Sequence, residues 1–123
     1  IDHFKYPFYD PSSFMKSASI LINDYSASST EFAILKKPQI FYMPDYKRYN
    51  EYKGFLEDYK KNLIGFEVKD YKSFIFYIDK CIKHKKFYLK KYNKKILTYQ
   101  KKYYENPNIE SCKLLKKFIQ NLK

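Results

Sequence analysis

Hydrophobic and polar positions along the chain follow two periods, and the switch between them divides it. Ser19 to Asn23 holds an unbroken apolar run, Ile20-Leu21-Ile22. A short run without alternation suits a parallel strand covered on both faces. Ahead of it, Asp10-Pro11 is a helix start, with Asp as N-cap and Pro at the first helical position. That helix reaches about Lys16 and is anchored by Phe14 and Met15. After the strand comes a turn dense in hydroxyls, Asp24-Tyr25-Ser26-Ala27-Ser28-Ser29-Thr30, then an apolar helical face in Glu31-Phe32-Ala33-Ile34-Leu35. Ser28-x-x-Glu31 has the form of a capping box. Lys36-Lys37-Pro38 ends the helix, and Gln39-Ile40-Phe41-Tyr42 reads as a second strand, at whose start Pro is tolerated. Strand, turn, helix and strand make a βαβ unit.

Met43 to Phe66 is a long connection with Pro44-Asp45, Gly54, Gly65 and many tyrosines. A loop this long is functional or disordered, and the aromatic density argues against disorder. Val68 closes a short extended segment. From an Asp70 cap onward, Tyr71, Phe74, Ile75, Ile78 and Ile82 fall at helical spacing. Lys83 to Glu105 continues as a helix with a stripe of Leu89, Tyr92, Ile96, Tyr99 and Tyr103. Asn106-Pro107-Asn108 breaks it. A last helix carries Leu114, Leu115, Phe118, Ile119 and Leu122 on one side. The fold class is α/β, divided into a partial Rossmann-like unit over residues 1–82 and lysine-rich helices over 83–123 that pack on it. Two clear strands cannot bury both faces of a parallel sheet. The chain also starts at Ile1 in place of Met, so it reads as a piece of something longer.

Composition changes this picture little. The 123 residues carry a net charge of +12, which invites a nucleic-acid or anionic-membrane partner. Yet Arg48 is the sole arginine, and Lys, Tyr, Phe, Asn and Ile are the residues of A/T-rich codons. Bidentate phosphate and base recognition favours arginine, so nucleic acid is not an expected partner. Cys81 and Cys112 stand apart from each other and from any histidine at ligand spacing; they read as reduced thiols of a cytoplasmic protein. No run approaches the ~18 apolar residues of a membrane span, and Ile1-Asp2-His3-Phe4 does not open a signal peptide. No metal-ligand spacing is present. His3 and His84 read as surface residues.

The chemistry concentrates in the hydroxyl-rich turn. A strand-to-helix turn gathers backbone N–H groups, the positive end of a helix dipole and hydroxyls, which together suit phosphate. The same residues are also ordinary helix caps, and Asp24 is also an ordinary Asx-turn residue. The tyrosines from Tyr42 to Tyr59 form either a platform for a base or sugar or the packing of the long connection onto the core. Lys80 to Lys102 is either a solvated face or a surface for anionic lipid.

Ile22-Asn23-Asp24-Tyr25-Ser26-Ala27, Glu31-Phe32-Ala33-Ile34-Leu35, Lys37-Pro38, Ile40-Phe41-Tyr42 and Lys53-Gly54-Phe55 resemble the C-terminal half of the CDP-glycerol glycerophosphotransferase family. These are teichoic-acid and capsule polymerases with a two-domain GT-B fold. Their pattern runs apolar-Thr-Asp-Tyr-Ser-Ser, three residues, Asp-Phe-Ala-Leu-Leu, Lys-Pro, an apolar strand ending in Tyr, then Arg-Gly-Phe-Tyr. Gly65 sits where the family has a Pro-Gly pair, and Ile109-Glu110-Ser111-Cys112-Lys113 resembles the family's closing segment. The Asp-Tyr-Ser segment is the specific part.

The resemblance implies a nucleotide-donor domain of a transferase that uses CDP-glycerol or a similar CDP-activated donor and no cofactor. Ser26 matches the first family serine, which would hold the donor pyrophosphate; Ala27 replaces the second, with Ser28 or Ser29 as substitutes. Glu31 matches the aspartate that contacts ribose or other donor polar groups. Asp24 and Tyr25 shape the turn. Asn23 stands for Thr and Lys53 for Arg. The family's histidines lie upstream, so this chain holds no catalytic residue and is inactive alone. The implied partners are the donor, a lipid-linked or polymer acceptor, the N-terminal part of the same enzyme and an anionic membrane surface. The implied location is cytoplasmic, peripheral at the inner face of a bacterial cell membrane. The alternatives are another GT-B glycosyltransferase with a nucleotide sugar, or a basic non-enzymatic module for anionic lipid or nucleic acid.

Overall fold

The computed structural model describes residues 11–55, 57–104 and 111–121. Helix α1 (Pro11–Ser17) precedes strand β1 (Leu21–Asn23), helix α2 (Ser28–Ala33) and strand β2 (Gln39–Tyr42). The long connection folds into two short helices, α3 (Tyr46–Tyr52) and α4 (Tyr59–Asn62), before strand β3 (Phe66–Val68). Helices α5 (Tyr71–Lys83), α6 (Lys85–Tyr103) and α7 (Ser111–Gln120) complete the chain.

The three strands form one parallel sheet in the order β1-β2-β3. Leu21 pairs with Gln39 and Asn23 with Phe41, while Ile40 pairs with Phe66 and Tyr42 with Val68. The expected βαβ unit is therefore present, and the segment that Val68 closes is a third strand. The central β2 is the covered strand: Gln39, Ile40 and Phe41 are all buried. Strand β1 is not covered on both faces as its apolar run suggests. It lies at the sheet edge with Ile22 51% exposed. An unbroken apolar run reports hydrophobicity and not position in the sheet, so it cannot separate a central strand from an edge.

Ala33, Ile40, Phe41, Met43, Leu63, Ile64, Phe66, Val68, Cys81, Tyr88 and Ile96 form the core. Helix α5 is capped as its sequence indicates: the Asp70 carboxylate accepts the Ser73 N–H at 2.9 Å and the Ser73 hydroxyl at 2.8 Å. A break at His84 (φ −128°, ψ 66°) separates α5 from α6, where the spacing suggests continuation. The buried stripe of α6 starts at Tyr88, not at Leu89, which is 37% exposed. The Tyr88 hydroxyl donates to the Ile64 carbonyl at 2.5 Å, so its phenol is satisfied inside the core. Gly65 lies so close to β2 that a Cβ there would stand 2.2 Å from the Gln39 carbonyl oxygen. Both cysteines are free, Cys81 buried and Cys112 exposed. On α7, Leu114, Leu115, Phe118 and Ile119 share one side and are exposed. Asp10, the Asn106-Pro107-Asn108 break and Leu122 lie outside the described residues. No helix among those described is long and apolar enough to cross a membrane.

Candidate functional site

The turn after β1 is built from its own side chains. The Asn23 amide donates to the Ser26 carbonyl at 3.1 Å, and the Tyr25 N–H donates to the Asp24 carboxylate at 2.6 Å. Asp24 thus takes the amide of the next residue, while Asn23 closes the turn three residues on. The Ser28 N–H donates to Ser26 Oγ at 3.3 Å, and the two hydroxyl oxygens, Ser26 Oγ and Ser28 Oγ, lie 3.0 Å apart at the surface. The capping box does not form. Ser28 is already the first helical residue, Ala27 holds the cap position with helical dihedrals, and no side chain caps the helix there. Ser26 serves the orphan amide instead, two residues upstream of the sequence pattern. Helix α2 is also shorter than its apolar face suggests. It ends at Ala33, and the chain turns through Lys36 at φ +52°.

Three polar side chains fix α2 in place. Gln39 Nε2 donates to the Ser29 carbonyl at 3.1 Å from the sheet beneath. Gln100 Nε2 donates to the Ala33 carbonyl at 2.8 Å, and the Thr30 and Tyr99 hydroxyls lie 2.9 Å apart, both tying α2 to α6. The orientation of the turn therefore depends on a helix nearly seventy residues later in the chain.

Aromatic rings close the other side. Tyr25 stacks on Tyr49 with centroids 3.9 Å apart and packs near Phe55 and Tyr59. Its hydroxyl donates to the Asp45 carboxylate at 2.8 Å, and the Tyr59 hydroxyl donates to the Asp24 carbonyl at 2.6 Å. Desolvation, followed by the neighbouring Asp45 for Tyr25 and the Asp24 charge for Tyr59, pushes both phenols well above their ordinary range. Both remain protonated donors at neutral pH. The tyrosines of the long connection thus pack α3 and α4 over the turn, and some of the same rings face a cavity.

That cavity has a volume of about 410 Å³. Ser26, Ala27 and Thr30 form one wall, and Phe55, Tyr59 and Tyr99 another. Glu57 stands at it and is bonded to Lys102 of α6, whose ammonium holds the carboxyl below its usual range. Of the turn residues singled out from sequence, Tyr25, Ser26 and Ala27 reach this cavity, and so does Ser29, which is buried. Ser28 is bonded to Ser26 beside it, and Asp24 supports it through its backbone. Glu31 lies on the exposed side of α2, off the cavity wall; its charge adds to the desolvation that raises the Tyr104 phenol. Thr30, Tyr99 and Glu57 are additions from the structure. Tyr99 is visible in sequence only as a stripe position, and nothing local marks its pairing with Thr30. His84 is exposed at the α5–α6 break, and His3 lies outside the described residues. Among the described residues, no group of three or more His, Cys, Asp or Glu could hold a metal ion.

A parallel sheet with a strand–turn–helix crossover, followed by C-terminal helices, makes this an α/β protein with a Rossmann-like portion. The chain belongs to the CDP-glycerol:poly(glycerophosphate) glycerophosphotransferase family, whose model matches residues 6–111. It is 50% identical over 46 residues to the teichoic acid glycerol-phosphate transferase of Staphylococcus aureus (strain NCTC 8325 / PS 47), which covers 37% of this chain and 12% of that protein. It is 39% identical over 61 residues to the teichoic acid glycerol-phosphate primase of Bacillus subtilis (strain 168), covering 50% of this chain and 16% of the relative. A 53-residue match to the teichoic acid poly(glycerol phosphate) polymerase of the same strain is 40% identical and covers 42% of this chain and 7% of the relative. The matches thus span at most 16% of these relatives' own length. No solved structure matches the chain.

Proposed function

We propose that this chain supplies the donor-binding face of a glycerophosphotransferase that uses CDP-glycerol or a related CDP-polyol and extends a teichoic-acid-like or capsular polymer. The observation that carries the reading is the cavity lined on one side by Ser26, Ala27, Ser29 and Thr30 and on the other by Phe55, Tyr59 and Tyr99, inside the segment that matches the family. Hydroxyl and amide donors suit the pyrophosphate, and aromatic faces suit the cytosine ring. Ser26 and Ser28 present hydroxyls at the surface; their mutual bond uses the proton of one and leaves the other's to face an anion. Glu31 would reach the ribose or another donor polar group from the side of α2. A cavity of this size encloses part of a nucleotide, so the remainder of the donor would contact residues beyond those described.

In the transfer, an acceptor hydroxyl attacks the β-phosphorus of the donor, the bond to the bridging oxygen breaks and CMP leaves with that oxygen. The role of this chain is to hold the pyrophosphate and to stabilise charge that builds on it. A base that takes the acceptor proton lies elsewhere in the enzyme on this reading, which leaves the chain alone able to bind and unable to turn over. The reading also places the chain at the cytoplasmic face of the membrane, where a lipid-linked or polymeric acceptor would meet it.

Calorimetric titration of the 123-residue chain with CDP-glycerol, CDP-ribitol and UDP-glucose tests the assignment. Saturable binding of a CDP-polyol that weakens in Ser26→Ala is expected. Equal binding of UDP-glucose would transfer the site to the nucleotide-sugar enzymes, and no binding of any of the three would remove the donor role.

A further inference from the structure

A second concavity, of about 290 Å³, shares the Leu63 wall with the aromatic cavity. Its lining is of a different chemistry. Lys60 comes from α4, Lys91 and Lys95 stand one turn apart on α6, Tyr77 and Tyr92 add phenol groups, and Glu67 of β3 is the sole carboxylate. Three ammoniums against one carboxylate leave the concavity with an excess of positive charge.

The carboxylate is already committed. Lys60 Nζ lies 3.0 Å from Glu67 Oε1, and Lys69 Nζ lies 3.5 Å from the same oxygen. Among the described residues, neither Lys91 nor Lys95 forms an ion pair. Lys91 instead sits over the Phe66 and Tyr92 rings, 5.2 and 5.3 Å from their centroids. Like charges at i and i+4 oppose helix formation. Among the described residues, Lys83 pairs with Asp79 and Lys102 with Glu57, whereas Lys86 and Lys90, like Lys91 and Lys95, stand at i and i+4 without an ion pair. Burial of the Lys95 stem lowers its ammonium pKa, with no carboxylate to offset the cost. Lys91 and Lys95 thus line one concave surface without an ion-pair partner, Lys95 partly desolvated, and an anion there would offset their charge.

We propose that the Lys60–Lys91–Lys95 concavity is a second anion site, separate from the donor turn, that takes a phosphodiester group. Lysine binds phosphate as a point charge without the fixed fork of arginine. Such a grip tolerates the changing orientation of successive phosphodiesters along a repeating chain. The phenol of Tyr92, which burial pushes up to about 12, stays a hydrogen-bond donor beside the anion across the physiological range. A phosphodiester reaches this surface either in a soluble polymer or in a lipid headgroup, and the chemistry is the same in both. The site stands on its own geometry, so it does not depend on the donor reading.

The test uses the 123-residue chain with three probes: inorganic phosphate, a short oligo(glycerol phosphate), and phosphatidylglycerol vesicles. Lys91→Gln/Lys95→Gln should weaken binding by about tenfold or more, the scale of two lost charge-assisted contacts. Lys86→Gln/Lys90→Gln removes the same charge from the same helix outside the concavity and should change it by less than about twofold. Lys91→Arg/Lys95→Arg should retain binding. Loss with the oligomer assigns the soluble polymer, and loss with vesicles assigns the headgroup. The glutamine pair should be at least as stable to urea as the parent at low salt, which separates lost binding from lost folding. Equal weakening by the two glutamine pairs would mean diffuse surface charge, and no saturable binding of any probe would also overturn the proposal. Binding of CDP-glycerol should be the same in all these variants, so a failed donor site and a failed second site give different results.

Discussion

At the scale of single residues, the turn carries two opposing substitutions. Ser26→Ala removes the acceptor of the Ser28 N–H and an exposed hydroxyl. It should cost about 0.5–1 kcal/mol of stability, the usual worth of a cap contact, and weaken CDP-glycerol more than it weakens the fold. Ala27→Ser restores a hydroxyl at the cavity and should tighten the donor by about threefold, the worth of one neutral hydrogen bond; parallel titrations of both variants check the pair. Burial sets the alkaline limit of stability. The Cys81 thiol rises from 9.0 to about 11 and the Tyr92 phenol from 10.0 to about 12. The unfolded chain loses these protons first, so their contribution is whole below about pH 9 and declines as pH rises through 11 to 12. Urea titrations from pH 7 to 11 should show that decline, and Cys81→Val should make it shallower. Legibility at this scale was uneven. Ser26 is marked by its place between a strand and a helix. Its bond to the Ser28 amide is not, because the spacing Ser28-x-x-Glu31 promises a cap two residues later than the serine that the chain uses.

At the scale of elements, local signals held where one side chain decides and failed where packing decides. Asp70 before an apolar stripe gives α5, because its carboxylate meets the Ser73 amide within the same turn. The βαβ order is similarly local. The third strand was half-visible, since only Val68 suggests extension and the pairing of Phe66 with Ile40 is a contact across the fold. On α6 the sequence favours Leu89 over Tyr88, since hydrophobicity cannot foresee that a phenol will find the Ile64 carbonyl. Two substitutions examine the joints. Gly65→Ala puts a methyl 2.2 Å from the Gln39 carbonyl oxygen and must push β2 and β3 apart. A loss of about 3 kcal/mol or failure to fold is expected from such overpacking, as read by urea denaturation. Thr30→Val and Tyr99→Phe each remove one end of the α2–α6 hydroxyl contact. Their double-mutant cycle should give a coupling of about 1 kcal/mol, and additive losses would mean that the contact does not hold α2.

At the scale of the whole molecule, the chain is a parallel three-stranded sheet whose turn after β1 is held from below by Gln39 and from the side by α6, and covered by the rings of α3 and α4. Family membership rests on residues 6–111, and the functional claim on the cavity that these elements enclose. Net charge invites an anionic partner while the single arginine argues against nucleic acid, so composition left the function open; the ordered motif around Asp24-Tyr25-Ser26 was the more informative signal, since it carries a position as well as a chemistry. The most direct test of the donor account is amide chemical-shift mapping of the isotopically labelled chain during titration with CDP-glycerol. The account predicts saturable shifts concentrated at Asp24 to Thr30, Phe55, Tyr59 and Tyr99, with those at residues 26–28 diminished in Ser26→Ala. Shifts that bypass this turn, or that survive the Ser26 change intact, would contradict it.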